Sequence, residues 1–374
     1  MSSLPHIVLA DDLTGAAEVA AIAHEAGLSA LVLTRLPRKP VAADVIVFDT
    51  NTRLAPPAKA ARIVRTATRR LRRWPHAGFF VKVDSVLRGS VGAQLSACAK
   101  ELGRPRTVLV PANPSLGRVI RQGRYAVNGR PLHETAFAHD PHHPRVTDEV
   151  ATLLGTGDGP LAVCASQARR LPRAALVVGE TATAADVRRW AGRVDARTLP
   201  AGGGDFFRAW LKRQGGARRA VPDYQLPVGG GLLLHGTTAA PADARALPFR
   251  GLLPPSLAVV RAALAQRGAV AVAPVPRTLG QAGAPAAIAR GFAHLTRSLH
   301  RTGSFRHLLI AGGATAATVL RALGWSELRV VRNWDQGVVT LQPVAEPDFA
   351  VTMKPGSYRW PSNLRRATRG FLPS

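Results

Sequence analysis

The chain has 374 residues, 46% of them hydrophobic and 20% charged, which suits a globular protein of two ordinary domains. No apolar run reaches the roughly 18 residues a membrane span needs. The first residues lack the charged start and apolar core of a signal peptide, so a cytoplasmic protein without a membrane partner is expected. The net charge of +27 attracts anions. It is almost all arginine, since the lysines are confined to Lys39, Lys59, Lys82, Lys100, Lys212 and Lys354, and it looks spread over the surface. Aromatic residues are only 5% and do not interleave with the arginines, which argues against a nucleic-acid partner. Cys98 and Cys164 lie far apart with no ligand spacing and read as reduced core residues.

Ile7 to Ala10 form a short apolar run, the pattern of a strand buried on both faces. Asp11 and Asp12 end it, Thr14 and Gly15 turn the chain, and an alanine-rich helix follows to about Ala26. Two adjacent acids at the carboxyl end of a strand suit a general base or a metal, and helix capping by Asp12 or Thr14 is the alternative. Strands are expected at 30–34, 45–49, 79–83 and 107–110, with helices near 58–73 and 90–102. The alternation predicts a parallel sheet flanked by helices. The loops Asp49 to Arg53, Asp84 to Gly89 and Asn113 to Arg118 would then gather at the same sheet edge as Asp11 and Asp12.

Asn128-Gly129 signals a hairpin turn. The stretch from His133 to Arg145 carries His133, His139, His142 and His143, but their spacing fits no usual metal set, and a solvated loop near the site is expected. A strand at 175–178 and helices at 184–190 and 205–212 complete an N-terminal domain over 1–213. Residues 214–230, rich in Gly, Arg and Pro, read as a linker to a C-terminal domain over 231–374. That domain has apolar strands at 232–234, 269–273, 307–311, 328–331, 338–341 and 349–353, and helices near 255–266, 285–300 and 314–323.

The strand at 307–311 opens into Gly312-Gly313-Ala314-Thr315 and a helix, the form of an anion cradle. Lys354 and Gly356 at one further strand end, and Gly236-Thr237-Thr238 at another, suggest a nucleotide phosphate site. In the N-terminal half, Lys82 and Arg88 add positive charge beside Asp84 and Ser85. Arg88 can grip a carboxylate through two parallel bonds, or form a structural ion pair with Asp84.

Ala-Asp-Asp-Leu-Thr-Gly-Ala at 10–16, Lys-Val-Asp-Ser-Val-Leu-Arg-Gly at 82–89 and Pro-Ala-Asn-Pro-Ser-Leu-Gly-Arg at 111–118 together resemble the four-carbon acid sugar kinase family. Residues 128–135, Gly312 to Ala316 and Lys354 to Tyr358 extend the resemblance in the family's order across nearly the whole chain. It implies a two-domain α/β kinase that phosphorylates threonate, erythronate or an oxo-tetronate with ATP and Mg2+. The N-terminal domain would hold the sugar acid and the C-terminal domain the nucleotide, the two closing over a cleft. Asp11 or Asp12 would be the general base. Lys82, Asp84, Ser85 and Arg88 would bind the sugar acid, Arg88 on its carboxylate. Thr237, Gly312, Gly313, Thr315, Lys354 and Gly356 would serve the nucleotide. The metal ligands stay unassigned, and a homodimer is compatible with the sequence. Departures fall mainly in the nucleotide half: Ala314 stands where the family carries an acid, and Arg359 follows Tyr358 where Phe-Gly is usual. Glu18 occupies a place where Asp is usual. They leave open a relative that binds a sugar acid as a sensor without turning it over.

Overall fold

The computed structural model describes residues 4–140, 142–155, 159–215, 219–236, 246–249, 252–275, 283–356, 358–368 and 371–372. They form two compact α/β units. One comprises Met1–Ala23 and Pro37–Arg218, the other His24–Leu36 and Arg219–Ser374. No described helix is long and apolar enough to cross a membrane.

The first unit starts with β1 (His6–Ala10) and α1 (Leu13–Glu25), whose end from His24 on counts with the second unit. β2 (Ala30–Leu33) belongs to the second unit. Then come β3 (Val45–Asp49), α2 (Pro57–Leu71), β4 (Gly78–Lys82), α3 (Val91–Leu102) and β5 (Arg106–Val110). The strands β6 (Arg118–Arg121), β7 (Arg124–Val127) and β8 (Arg130–Pro131) form a small antiparallel sheet. The chain returns through α4 (Val150–Leu154), β9 (Leu161–Cys164), β10 (Leu176–Gly179), α5 (Ala184–Ala191), β11 (Thr198–Gly202) and α6 (Gly204–Gln214).

The main sheet of this unit runs β3-β1-β4-β11-β5-β10-β9, with every pairing parallel. Ile7, Val8, Leu9, Phe80, Val108 and Leu109 are buried, as strands covered on both faces require. Each such side chain contributes about 1.5–3 kcal/mol by leaving water. Phe206, Phe207 and Trp210 of α6 pack their rings on Phe80 of β4. In α2, Ala60, Val64, Ala67, Thr68 and Leu71 are buried at helical spacing while Arg69 and Arg70 face solvent. The basic cluster at 69–73 is therefore the wet end of an amphipathic helix, and Arg69 and Arg72 both pair with Glu101.

Chain order makes one point of this sheet special. From β1 the chain passes to β3 on one side, and β4 then joins β1 on the other. Such a switch in direction leaves a crevice at the carboxyl ends of the adjacent strands. Ala10, Asp49 and Lys82 stand level there.

The second unit repeats the device. Its elements after β2 are β12 (Gly231–His235), β13 (Ala246–Phe249), α7 (Leu257–Arg267), β14 (Ala269–Pro274), α8 (Ala284–Arg301), β15 (His307–Ala311) and α9 (Gly313–Leu323). β16 (Glu327–Asp335), β17 (Val338–Pro343), β18 (Ala350–Lys354) and α10 (Ser362–Ala367) complete it. The order is β13-β14-β12-β15-β18-β17-β16-β2. The strands from β13 to β18 pair in parallel, and β17, β16 and β2 add antiparallel neighbours. The direction switches between β12 and β15, where His235 and Ala311 are level, and Ala311 is in turn level with Lys354.

One expectation changes. The strand at 30–34 reads as part of the N-terminal domain, but β2 pairs antiparallel with β16, Val32 opposite Leu328. A four-residue apolar run carries no mark of its partner, because any buried sheet edge satisfies it.

Candidate active site

The first unit's switch point is packed with charge. Asp11, 2% exposed, sits just past β1. Its backbone carbonyl accepts the N–H groups of Thr52 and Arg53, so the loop after β3 folds over the end of β1. That brings the Arg53 guanidinium against both acids. Nη2 and Nε bond Asp11 Oδ1 and Oδ2 at 2.7 and 2.9 Å, and Nη1 bonds Asp12 Oδ2 at 2.6 Å. Asp84 Oδ1 lies 3.6 Å from the same nitrogen. Gly89, at φ +85°, lets the neighbouring loop pass: a Cβ there would meet the Arg53 carbonyl at 2.9 Å.

Asp12 also caps α1. Its Oδ1 accepts the Gly15 N–H at 2.7 Å and its Oδ2 accepts the Thr14 hydroxyl at 2.6 Å. The two acids differ in access, with side-chain exposures of 1% for Asp11 and 19% for Asp12. Burial pushes the Asp11 carboxyl up, with Arg53 pulling the other way. Burial opposes charge on Arg53, but Asp11, Asp12 and Asp84 hold it well above the ordinary range.

Lys82, the last residue of β4, is 3% exposed. Its Nζ pairs with Glu18 of α1 at 3.0 Å and donates to the Val83 carbonyl at 3.1 Å. Burial works against its charge, and Glu18 first among its neighbours outweighs that and raises it.

The loop after β4 carries the other residues singled out by sequence. Asp84 Oδ2 accepts the N–H groups of Val86 and Arg88. Arg88 closes a two-pronged pair on Asp84, Nη2 to Oδ1 at 2.8 Å and Nε to Oδ2 at 3.0 Å, and its Nη1 reaches Asp140 at 3.0 Å. The ion pair that the sequence allowed as the alternative is thus formed, and three donor directions of Arg88 are engaged by acids. Against burial, Arg88 and then Arg53 hold the Asp84 carboxyl well below the usual range. Ser85 Oγ accepts from Arg118 Nη1, and the Ser85 carbonyl accepts the buried Tyr125 hydroxyl at 2.6 Å.

The histidine-rich loop comes to the site as a polar cover. His143 Nε2 lies 2.9 Å from the Arg53 carbonyl, Arg145 donates to the Leu87 carbonyl at 2.9 Å, and Phe137 lies under Arg88 and Arg118. Among the described residues, no group of three or more His, Cys, Asp or Glu could hold a metal.

In the second unit, Gly312 (φ +113°) caps α9 without a side chain, and its N–H donates to the Lys354 carbonyl at 3.0 Å. A Cβ on Gly312 would stand 3.2 Å from the Gly236 carbonyl, and one on Gly236 would stand 2.0 Å from Thr315 Oγ1. Both glycines are needed for this close approach. Helix α9 opens at Gly313, and the first N–H groups of a helix have no intrahelical partner. Thr315 is buried and Ala314 is exposed in that first turn. Lys354, 4% exposed, donates to the Pro355 and Gly356 carbonyls at 3.3 and 3.2 Å and stands 5.2 Å from the Trp360 ring centre. Burial lowers its ammonium to about 8. The structure therefore gathers Gly312, Gly313, Thr315, Lys354 and Gly356 at the ends of β15 and β18. Thr237 lies outside the described residues.

The sequence places the loops of Arg53 and Arg118 at this edge and the 133–145 loop near it, but it assigns no role to Arg53, Arg118, Asp140 or His143. Arg53 carried a signal, because it closes a polar loop at a strand end. For Asp140 and His143, a loop near the site was expected, but no local pattern reveals that they contact Arg88 and the Arg53 carbonyl.

A family model described as a sugar-binding N-terminal domain matches residues 6–198, and one described as a nucleotide-binding C-terminal domain matches residues 254–358. The chain belongs to the four-carbon acid sugar kinase family. A member named D-threonate kinase, from Bordetella bronchiseptica, is 33% identical over 237 residues, 58% of this chain and 58% of that protein. The match thus spans little more than half of that relative. A member named 3-oxo-tetronate kinase, from Brucella melitensis, is 25% identical over 403 residues, 94% of this chain and 92% of that protein. The crystal structure of a Haemophilus influenzae protein shares the fold, with a TM-score of 0.73 at 21% identity over 98% of this chain and 100% of that one.

Proposed function

We propose that this protein transfers a phosphoryl group from ATP to a hydroxyl of a four-carbon sugar acid of the threonate, erythronate or oxo-tetronate type. The observation that carries the reading is the cluster at the first switch point, where buried carboxylates and guanidinium groups alternate. Carboxylates accept from sugar hydroxyls, and cationic donors match a carboxylate, so the set suits a small hydroxy acid. The names of family members support the same substrate class.

Asp12 is the base in this reading and Asp11 the anchor of Arg53. Both Asp11 oxygens lie buried against Arg53, whereas Asp12 is more open and keeps an acceptor site on Oδ1 beyond its three bonds. Transfer of a phosphoryl group needs positioning and charge neutralisation above all. The bare first turn of α9, Gly312 and Lys354 suit the phosphates of ATP. The first unit's acids are taken up by Arg53 and Arg88, so they do not form a ready metal site. Mg2+ would be bound mainly through the triphosphate, as it often is in kinases.

The test is ADP release across a panel of four-carbon aldonates. Release that depends on one of them supports the reading, and none across the panel sinks it. Exposed Ala314, where the family carries an acid, favours a second reading in which sugar acid binds without turnover. Calorimetry separates the two: a sensor binds aldonate and shows no heat with ATP.

A further inference from the structure

Among the arginines of the first cluster, Arg118 is held differently. Arg53 faces Asp11 and Asp12, and Arg88 faces Asp84 and Asp140. Arg145 gives Nε and Nη1 to the backbone carbonyls of His143 and Leu87. Arg118 has no carboxylate partner among the described residues. Its Nη1 donates to the Ser85 hydroxyl, its guanidinium carbon lies 5.5 Å from the Phe137 ring centre, and its Nε is buried without an acceptor. A buried donor left unpaired costs about 1–3 kcal/mol, more on a charged group, so the arrangement is uncomfortable without a ligand.

The fold spends several features on holding Arg118 there. Its N–H donates to the Asn113 carbonyl at 3.1 Å. Gly117, at φ +64°, turns the chain into β6, and a Cβ there would meet Asn128 Oδ1 at 2.0 Å. The Gly117 carbonyl accepts the Asn128 N–H at 2.8 Å. Tyr125 of β7 ties the same small sheet to the Ser85 carbonyl. Arg118 is thus fixed beside Ser85 by turns and sheet pairing, without an acid.

We infer that Arg118, with the Ser85 hydroxyl beside it, is the group that grips the carboxylate of the hydroxy-acid substrate, and that Arg88 is a positioning residue that holds Asp84 and the Asp140 loop. A carboxylate arriving at Arg88 meets a guanidinium already paired with two acids, whereas one arriving at Arg118 meets a guanidinium with no acid on it among the described residues. Phe137 lies against both guanidinium groups and forms an apolar wall that strengthens a charge-assisted bond. The inference rests on the sugar-acid reading above, and its test separates the two.

The experiment measures binding of D-threonate, D-erythronate and the uncharged tetritols by calorimetry, and ADP release in parallel. The proteins are wild type, Arg118→Ala, Arg118→Lys and Arg88→Lys. A charge-assisted hydrogen bond is worth a factor of about 10–100 in affinity. Arg118→Ala is expected to lose that factor for the acids with tetritol binding and the KM for ATP unchanged. Arg118→Lys is expected to recover part of it, and free guanidinium ion added to Arg118→Ala to recover more. A merely structural role would lower binding of acid and tetritol together and would not respond to guanidinium. Acid affinity unchanged within about twofold in Arg118→Ala overturns the inference, as does failure of the wild type to bind any of the acids. Acid binding that needs Arg118, without ADP release by the wild type, upholds the inference and overturns the kinase reading alone.

Discussion

Arg53 grips Asp11 through two parallel hydrogen bonds of 2.7 and 2.9 Å, while its remaining terminal nitrogen holds Asp12 at 2.6 Å. One guanidinium therefore fixes both acids that the chain places at the end of β1. Lysine could not reproduce this, because a point charge lacks the planar fork.

Removing that fork strands Asp11. Arg53→Met leaves a buried carboxylate without its partner, and losses of about 3–5 kcal/mol are usual for such a break. Urea unfolding is expected to show a loss of that order, and Asp11→Asn in the same chain is expected to recover part of it. A loss under about 1 kcal/mol would mean that the pair does not hold the site together.

Acid stability should carry the mark of Asp84. Arg88 and Arg53 hold its folded carboxyl well below the ordinary range despite burial. A lowered folded value gives stability that is present above the unfolded value near 4 and fades as pH falls through the folded one. The stability gap between wild type and Asp84→Asn is therefore expected to be full at pH 7 and to narrow below about pH 4. A gap independent of pH would contradict the assigned charge.

Lys354 makes the opposite kind of contribution. Burial lowers its ammonium to about 8 from an ordinary 10.5. Between those values the unfolded chain binds a proton that the folded chain has released, so stability rises with pH across that window. Lys354→Met is expected to remove the rise. If Lys354 meets phosphate, affinity for ATP should also weaken as pH climbs through about 8 in the wild type and stay level in the variant.

Gly312 tests the cradle. At φ +113° and with the Gly236 carbonyl 3.2 Å from where a Cβ would stand, Gly312→Ala is strained in backbone and space alike. A cost of about 1–3 kcal/mol is expected in thermal unfolding. In turnover, KM for ATP should rise with KM for the acid unchanged. The reverse pattern would move this loop to the acid.

Much of this was legible in the chain itself. Apolar runs of strand length alternating with helical stretches gave the α/β class, and Asn128-Gly129 marked a hairpin that the structure contains between Val127 and Arg130. The crowding of Asp11, Asp12, Lys82, Asp84, Ser85 and Arg88 followed from parallel strands ending on one edge. The partners of those residues were hidden. Whether Arg88 meets Asp84 or a ligand depends on side-chain geometry four residues away, and Asp140 arrives from a loop 52 positions on. The allegiance of β2 was hidden too, since pairing between distant strands leaves no local trace.

Transfer of labelled γ-phosphate from ATP to D-threonate, D-erythronate or an oxo-tetronate decides whether the chain is a sugar-acid kinase. Label is expected on one of these acids with the wild type, and its loss by two or more powers of ten in Asp12→Asn, as removal of a positioned base produces. Label that never leaves ATP in the presence of a bound acid would contradict the kinase reading.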